Sequence, residues 1–201
     1  MLYSILRVVF TLLFGIVFRT ITYGKENLPA EGPVILAANH LSNWDPPLLA
    51  TFILRPVSYM AKIELFEHPI FGAAIRSCHA FPVKRGAADR GAIKAALQVL
   101  KMGHVLGLFP EGTGSRDGDQ HKAEAGVGLI AAMSGAPVVP ACIIGTAHIL
   151  QNGGFLPKLR VAYGKPMYFK GDRRDKEQLA AFSQEIMAHI AKMREEIEKI
   201  S

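Results

Sequence analysis

A chain of 201 residues, half of them hydrophobic, suits one domain with a substantial core and is short for two of ordinary size. Its net charge of +6 favours an anionic partner, but the cations are scattered without interleaved stacking aromatics and no common nucleic-acid signature occurs, so nucleic-acid binding is set aside. Two cysteines, Cys78 and Cys142, lie in apolar surroundings without metal-ligand spacing; they imply no disulfide framework and are expected to be buried thiols in a reducing compartment.

The N-terminal segment MLYSILRVVFTLLFGIVFRTIT contains an apolar or near-neutral run from Val8 to Phe18, bounded by Arg7 and Arg19. As a helix this run spans about 16 Å, roughly half of a hydrocarbon core of about 30 Å. Ser4, Arg7, Thr11, Gly15, Arg19 and Thr22 recur at helical spacing as a narrow polar stripe. The expectation is a membrane-associating helix over residues 1–23 that lies at or dips into a membrane surface, followed by a single domain over 24–201. A core helix and a tilted spanning helix stay open as alternatives. No small-x-small site follows the run, which argues against a cleaved leader.

After a turn at Gly24 to Pro29, strand-like and helix-like segments alternate. VILAA reads as a short buried strand. The chain then passes through NHLSNWD, residues 39 to 45, into DPPLLATFIL, read as a helix with Asp45 at its N-cap and Pro46 in the first turn. His40 and Asp45 therefore bracket one strand-to-helix loop, a place where side chains at a sheet's carboxyl edge commonly act. VSYMA is the next strand, helical material follows around Phe66 to Ile75, and AFPVK is a third strand. Its FPVKRG ending sets Lys84 beside Arg85, a pair of cations suited to an anion and equally compatible with an exposed basic turn.

A helix over residues 88–103 leads to the strand HVLGLFP, which runs into FPEGTGSRDG, residues 109 to 118. Glu111, Gly112, Thr113, Gly114, Ser115 and Arg116 supply exposed backbone N–H groups, hydroxyls and a guanidinium, a composition able to cradle phosphate. The segment lacks the Gly-Lys-Ser/Thr ending of a P-loop. EAGVGLIAAMSG is a helix, VVPACIIGT (138 to 146) a buried strand and LRVAYG a late strand. Residues 175–200 form an amphipathic helix whose apolar positions step by threes and fours; His189 on it is read as a partly exposed helix residue. The alternation defines an α/β fold, a largely parallel or mixed sheet covered by helices.

Taken in order, NHLSNWD, FPVKRG, FPEGTGSRDG and VVPACIIGT resemble the four motif blocks of the glycerophospholipid acyltransferases, over about Gly24 to Gly164. The resemblance implies transfer of an acyl group from an acyl thioester, carried by CoA or acyl carrier protein, to the sn-2 hydroxyl of 1-acylglycerol 3-phosphate (lysophosphatidic acid), giving phosphatidic acid. It implies His40 as general base and Asp45 as its partner. Arg85, Glu111 and Arg116 are implied at the glycerol-phosphate site, with Gly112, Thr113 and the loop to Gly114 offering backbone donors; Lys84 and Lys122 are lesser candidates. It implies no metal or redox cofactor, membrane lipids as partners, and a peripheral or monotopic place on the cell membrane with the site facing the cytoplasm. Family members often carry Arg where this chain has Gly114, which keeps glycerol 3-phosphate or another lysolipid in play as acceptor. A module that binds anionic lipid without catalysis is the non-enzymatic alternative; a serine hydrolase lacks its Gly-x-Ser-x-Gly elbow.

Overall fold

The computed structural model describes residues 2–83, 90–110, 126–149 and 156–200. Its first helix, α1 (Leu2–Leu12), widens into a single π turn over Leu13–Val17, which Phe18 N–H closes on Leu13 C=O at 3.1 Å. Then follow β1 (Ile21–Tyr23), β2 (Val34–Ala38), α2 (Asp45–Thr51), β3 (Val57–Lys62), α3 (Pro69–Ser77) and β4 (Phe81–Val83). The remaining elements are α4 (Arg90–Lys101), β5 (Val105–Leu108), α5 (Gly126–Ser134), β6 (Val138–Ile144), β7 (Arg160–Tyr163) and α6 (Lys176–Lys199).

The seven strands form one sheet in the order β1-β7-β6-β2-β5-β3-β4, parallel throughout except where β7 runs against β6. This is the mixed, mostly parallel α/β architecture expected. β2 sits at the centre, with Ala37 opposite both Leu108 of β5 and Pro140 of β6. All five of its residues are buried, as a strand covered on both faces requires. Alternation along the strands sorts their side chains into two cores. Val34, Leu36 and Ala38 join Val139, Ala141 and Ile143 on the face covered by α1 and α2. Ile35 and Ala37 join Val138 and Cys142 on the face covered by α4, α5 and α6.

The N-terminal helix contributes to the first of these cores. Phe14 and Phe18 are buried in it, and Phe10 and Leu13 pack against it. Phe14 stacks on Phe10 and meets Trp44 edge-on. Truncating a buried phenylalanine of this kind costs about 3–5 kcal/mol, so these residues tie the helix to the domain. The opposite side of the same helix is apolar too: Leu2, Ile5, Val8, Val9, Leu12, Ile16 and Val17 are exposed. Arg7, expected in the polar stripe, turns inward and donates to the carbonyls of Ile53 (3.0 Å) and Leu54 (3.4 Å) just beyond α2. Among the described residues, no helix is long and apolar enough to cross a membrane.

Ile21–Tyr23, grouped with the N-terminal helix in the sequence reading, instead pair with Arg160–Ala162 as an edge strand. Three residues are too few to display alternation, and Thr22 had fallen on the helical polar spacing. The turn that follows depends on Gly24: its φ is +68°, and a Cβ there would stand 2.2 Å from the Tyr163 carbonyl oxygen. Asn27 closes the same turn by donating from Nδ2 to that oxygen at 2.9 Å.

Candidate active site

Because β2, β5, β3 and β4 are mutually parallel, their C-terminal residues lie at one edge of the sheet. The chain leaves β2 at that edge and reaches α2 through residues 39–44, with His40 and Asp45 at the two ends. The His40 Nδ1 to Asp45 Oδ2 distance is 2.9 Å. Asp45 is fully buried, whereas the His40 side chain keeps 13% of its surface open.

Asp45 does not cap its helix in the expected way. It is the first residue of α2, Trp44 occupies the N-cap without a side-chain cap bond, and Pro46 and Pro47 have no N–H to offer. The carboxylate turns back into the loop instead. Its Oδ2 accepts from Leu41 N–H at 2.6 Å and Ser42 N–H at 2.7 Å in addition to the imidazole. Two rigid backbone donors thus fix the carboxylate. Since a carboxylate oxygen only accepts, Nδ1 of the neutral ring carries the hydrogen and the lone pair is on Nε2. Asp45 Oδ1 is buried with no partner among the described residues, so the burial is justified mainly by what Oδ2 holds.

Asn39, which precedes the histidine in NHLSNWD, has a role that the motif alone does not reveal. Its buried amide donates from Nδ2 to Ile143 C=O at 2.9 Å and accepts Ile143 N–H at 2.8 Å. The amide continues the β2–β6 ladder one step beyond Ala38 and Ala141, clamping the strand end that presents His40. On the other side the imidazole stacks on Phe109, with centroids 4.3 Å apart and planes at 23°. Burial pushes the Tyr59 hydroxyl, behind Phe109, well above its ordinary titration range, so Tyr59 stays a neutral phenol.

The structure therefore brings His40 and Asp45 together and adds Asn39, Phe109 and Tyr59 around them. Lys84, Arg85, Glu111, Gly112, Thr113, Arg116 and Lys122 lie outside the described residues. The strands that lead into them, β4 and β5, end at the same edge as β2. Among the described residues no three His, Cys, Asp or Glu side chains gather where they could hold a metal ion.

An imidazole oriented by a buried carboxylate, at the carboxyl edge of a helix-covered sheet, defines a site equipped for proton transfer during group transfer. The family model described as Acyltransferase matches residues 19–144. A 1-acyl-sn-glycerol-3-phosphate acyltransferase of Bacillus subtilis (strain 168) is 32% identical over 185 residues, covering 89% of each chain. The enzyme of the same description from Streptococcus pneumoniae is 37% identical over 150 residues, 72% of this chain and 55% of that one. The crystal structure of the 1-acyl-sn-glycerophosphate (LPA) acyltransferase PlsC from Thermotoga maritima superposes with a TM-score of 0.73 at 28% identity, covering 98% of this chain and 78% of that chain. The chain belongs to this acyltransferase family and is an enzyme of that class.

Proposed function

We propose that the enzyme transfers an acyl group from an acyl thioester, acyl-CoA or acyl-acyl carrier protein, to the sn-2 hydroxyl of 1-acylglycerol 3-phosphate, forming phosphatidic acid for phospholipid synthesis. The observation that carries this reading is the 2.9 Å contact between His40 and the buried Asp45. The Bacillus subtilis and Thermotoga maritima relatives, both named as acyltransferases of 1-acylglycerol phosphate, support the choice of acceptor.

In this reading Nε2 of His40 removes the acceptor's hydroxyl proton as that oxygen attacks the thioester carbonyl carbon. Asp45 holds the ring and stabilises the imidazolium that forms. Collapse of the tetrahedral intermediate breaks the carbon–sulfur bond, and the imidazolium returns its proton to the departing thiolate. The acceptor's own hydroxyl takes the place of an enzyme serine, so no acyl-enzyme is needed. Backbone N–H groups of Gly112 to Gly114 are proposed for the oxyanion. By family resemblance Arg85 and Arg116, with Lys84 as a lesser candidate, are proposed for the phosphate and Glu111 for a glycerol hydroxyl, while Thr113 adds a hydroxyl to the phosphate-cradling loop. No metal or redox cofactor enters the scheme.

The same proposal places the enzyme on the cytoplasmic surface of the cell membrane, held by the exposed apolar side of α1 and the π turn that continues it. That side carries Val8, Leu12 and Ile16, the last 67% exposed, while the far side of the helix is fixed in the core through Phe14. A site at the interface spares the acyl chain of the acceptor a passage through water, worth about 0.8 kcal/mol per methylene.

The test is phosphatidic acid formation from a labelled acyl thioester, with lysophosphatidic acid, glycerol 3-phosphate and lysophosphatidylcholine as parallel acceptors and both CoA and carrier-protein donors. Transfer to lysophosphatidic acid alone is the expected result. Transfer to glycerol 3-phosphate instead would replace the acceptor, and no transfer by folded protein to any of them would replace the reading with lipid binding.

A further inference from the structure

The register of the sheet lines up three aromatic rings on one face. His40 lies two residues beyond Ala38 on β2, and Phe109 two beyond Gly107 on β5, so each continues the face of its strand. Ala37 pairs with Leu108, and Gly107 pairs with Tyr59 of β3. Across neighbouring strands β2, β5 and β3 the rings of His40, Phe109 and Tyr59 consequently follow one another diagonally. The Phe109–Tyr59 centroids are 6.0 Å apart with planes at 10°, beside the 4.3 Å stack of Phe109 on His40.

The column is built into the backbone. A Cβ on Gly107 would stand 2.2 Å from Cε1 of Tyr59, so the absent side chain is what lets the tyrosine ring lie flat on β5 beneath Phe109. Tyr59 pays for its place with a buried hydroxyl that finds no partner among the described residues. A single hydrogen bond at Nδ1 constrains the imidazole poorly, because the ring can still swing about that contact. The flat face of Phe109 supplies the second constraint and also meets the ring when it becomes a cation.

We propose that Phe109, propped from behind by Tyr59, is a positioning residue that sets the plane of the His40 imidazole and so aims Nε2 at the acceptor hydroxyl. The proposal rests on His40 being the base. It predicts a specific hierarchy. Leucine at position 109 keeps the apolar volume but not the flat ring, and tyrosine keeps the ring.

The experiment combines NMR of ring-labelled histidine in the full chain in detergent micelles, His40 being assigned with His40→Gln, and steady-state acyl transfer. The wild-type His40 ring protons are expected upfield of those of the other histidines, shielded by the Phe109 face. Phe109→Leu is expected to abolish that shielding and lower kcat on the order of tenfold, with KM for donor and acceptor within about twofold. Phe109→Tyr should retain both shielding and rate. Absence of upfield shielding in the wild type, equal losses in the Leu and Tyr variants, or a change confined to KM overturns the proposal. Should Phe109→Leu fail to fold, Tyr59→Leu removes the prop one strand away and is expected to give the same kcat-only loss with partial loss of shielding. Full transfer by His40→Gln would remove the base reading while leaving the ring-current result to stand or fall by itself.

Discussion

Replacing Asp45 by asparagine removes one charge and almost no volume, and the structure sets what should follow. An asparagine oxygen at the Oδ2 position can keep the Leu41 and Ser42 N–H bonds, at 2.6 and 2.7 Å, and the bond from His40 at 2.9 Å. Its NH2 then takes the Oδ1 position, which is buried and has no partner among the described residues. An unsatisfied buried donor costs about 1–3 kcal/mol, which lowers Tm by several degrees but leaves a folded protein. The larger effect falls on turnover. An imidazolium and a carboxylate roughly 4 Å apart attract by about 4 kcal/mol at an effective dielectric constant of about 20, and that attraction exists only once His40 has taken the proton. Losing it slows transfer by about 10³-fold at one decade per 1.36 kcal/mol. The assay is kcat for phosphatidic acid formation at saturating donor and acceptor, with circular dichroism and Tm on the same preparation. A folded Asp45→Asn enzyme within tenfold of wild type would refute the argument that the buried carboxylate stabilises a charged histidine.

Asn39→Ala leaves the Ile143 N–H and C=O without their buried partners; it should cost about 2–4 kcal/mol in urea unfolding and reduce kcat, and a loss below about 1 kcal/mol would show that the strand end needs no clamp. Substituting serine together at Val8, Leu12 and Ile16, all exposed, should weaken sedimentation with anionic liposomes while leaving Tm unchanged; undiminished sedimentation would remove α1 and its π turn as the anchor. Burial pushes the Cys142 thiol up to about 12, and Cys78 is only partly buried. A thiol reagent at neutral pH should therefore label one cysteine per native chain and the second only after unfolding; rapid labelling of both would contradict the packing of β6 against the helices.

Much of the fold was legible because the relevant signals are local. VILAA and VVPACII are apolar throughout, as central strands buried on both faces must be. The last helix declared itself through Leu179, Phe182, Ile186 and Ile190, all buried on one side. The edge strand at Ile21–Tyr23 was missed because three residues carry no periodicity. Arg7 falls in the narrow polar stripe by its helical spacing, whereas its partners, the carbonyls of Ile53 and Leu54, are 46 and 47 residues away and have no local signature.

The site divides along the same line. His40 and Asp45 were legible from a five-residue spacing between a strand and a proline-marked helix start. The direction of the carboxylate was not, since it depends on which N–H groups the two prolines leave available. Asn39, Phe109 and Tyr59 act across strands, and their roles exist only through the pairing of β2 with β6, β5 and, beyond it, β3. No pattern within one segment reveals such a register.

The central claim is that His40 removes the acceptor proton. It is tested most directly by His40→Ala, comparing labelled acyl transfer to lysophosphatidic acid with wild type, while Tm and liposome sedimentation verify fold and attachment. The account predicts a loss of about 10²–10⁴-fold, with both controls unchanged. Turnover close to wild type from the folded, membrane-bound variant would contradict it.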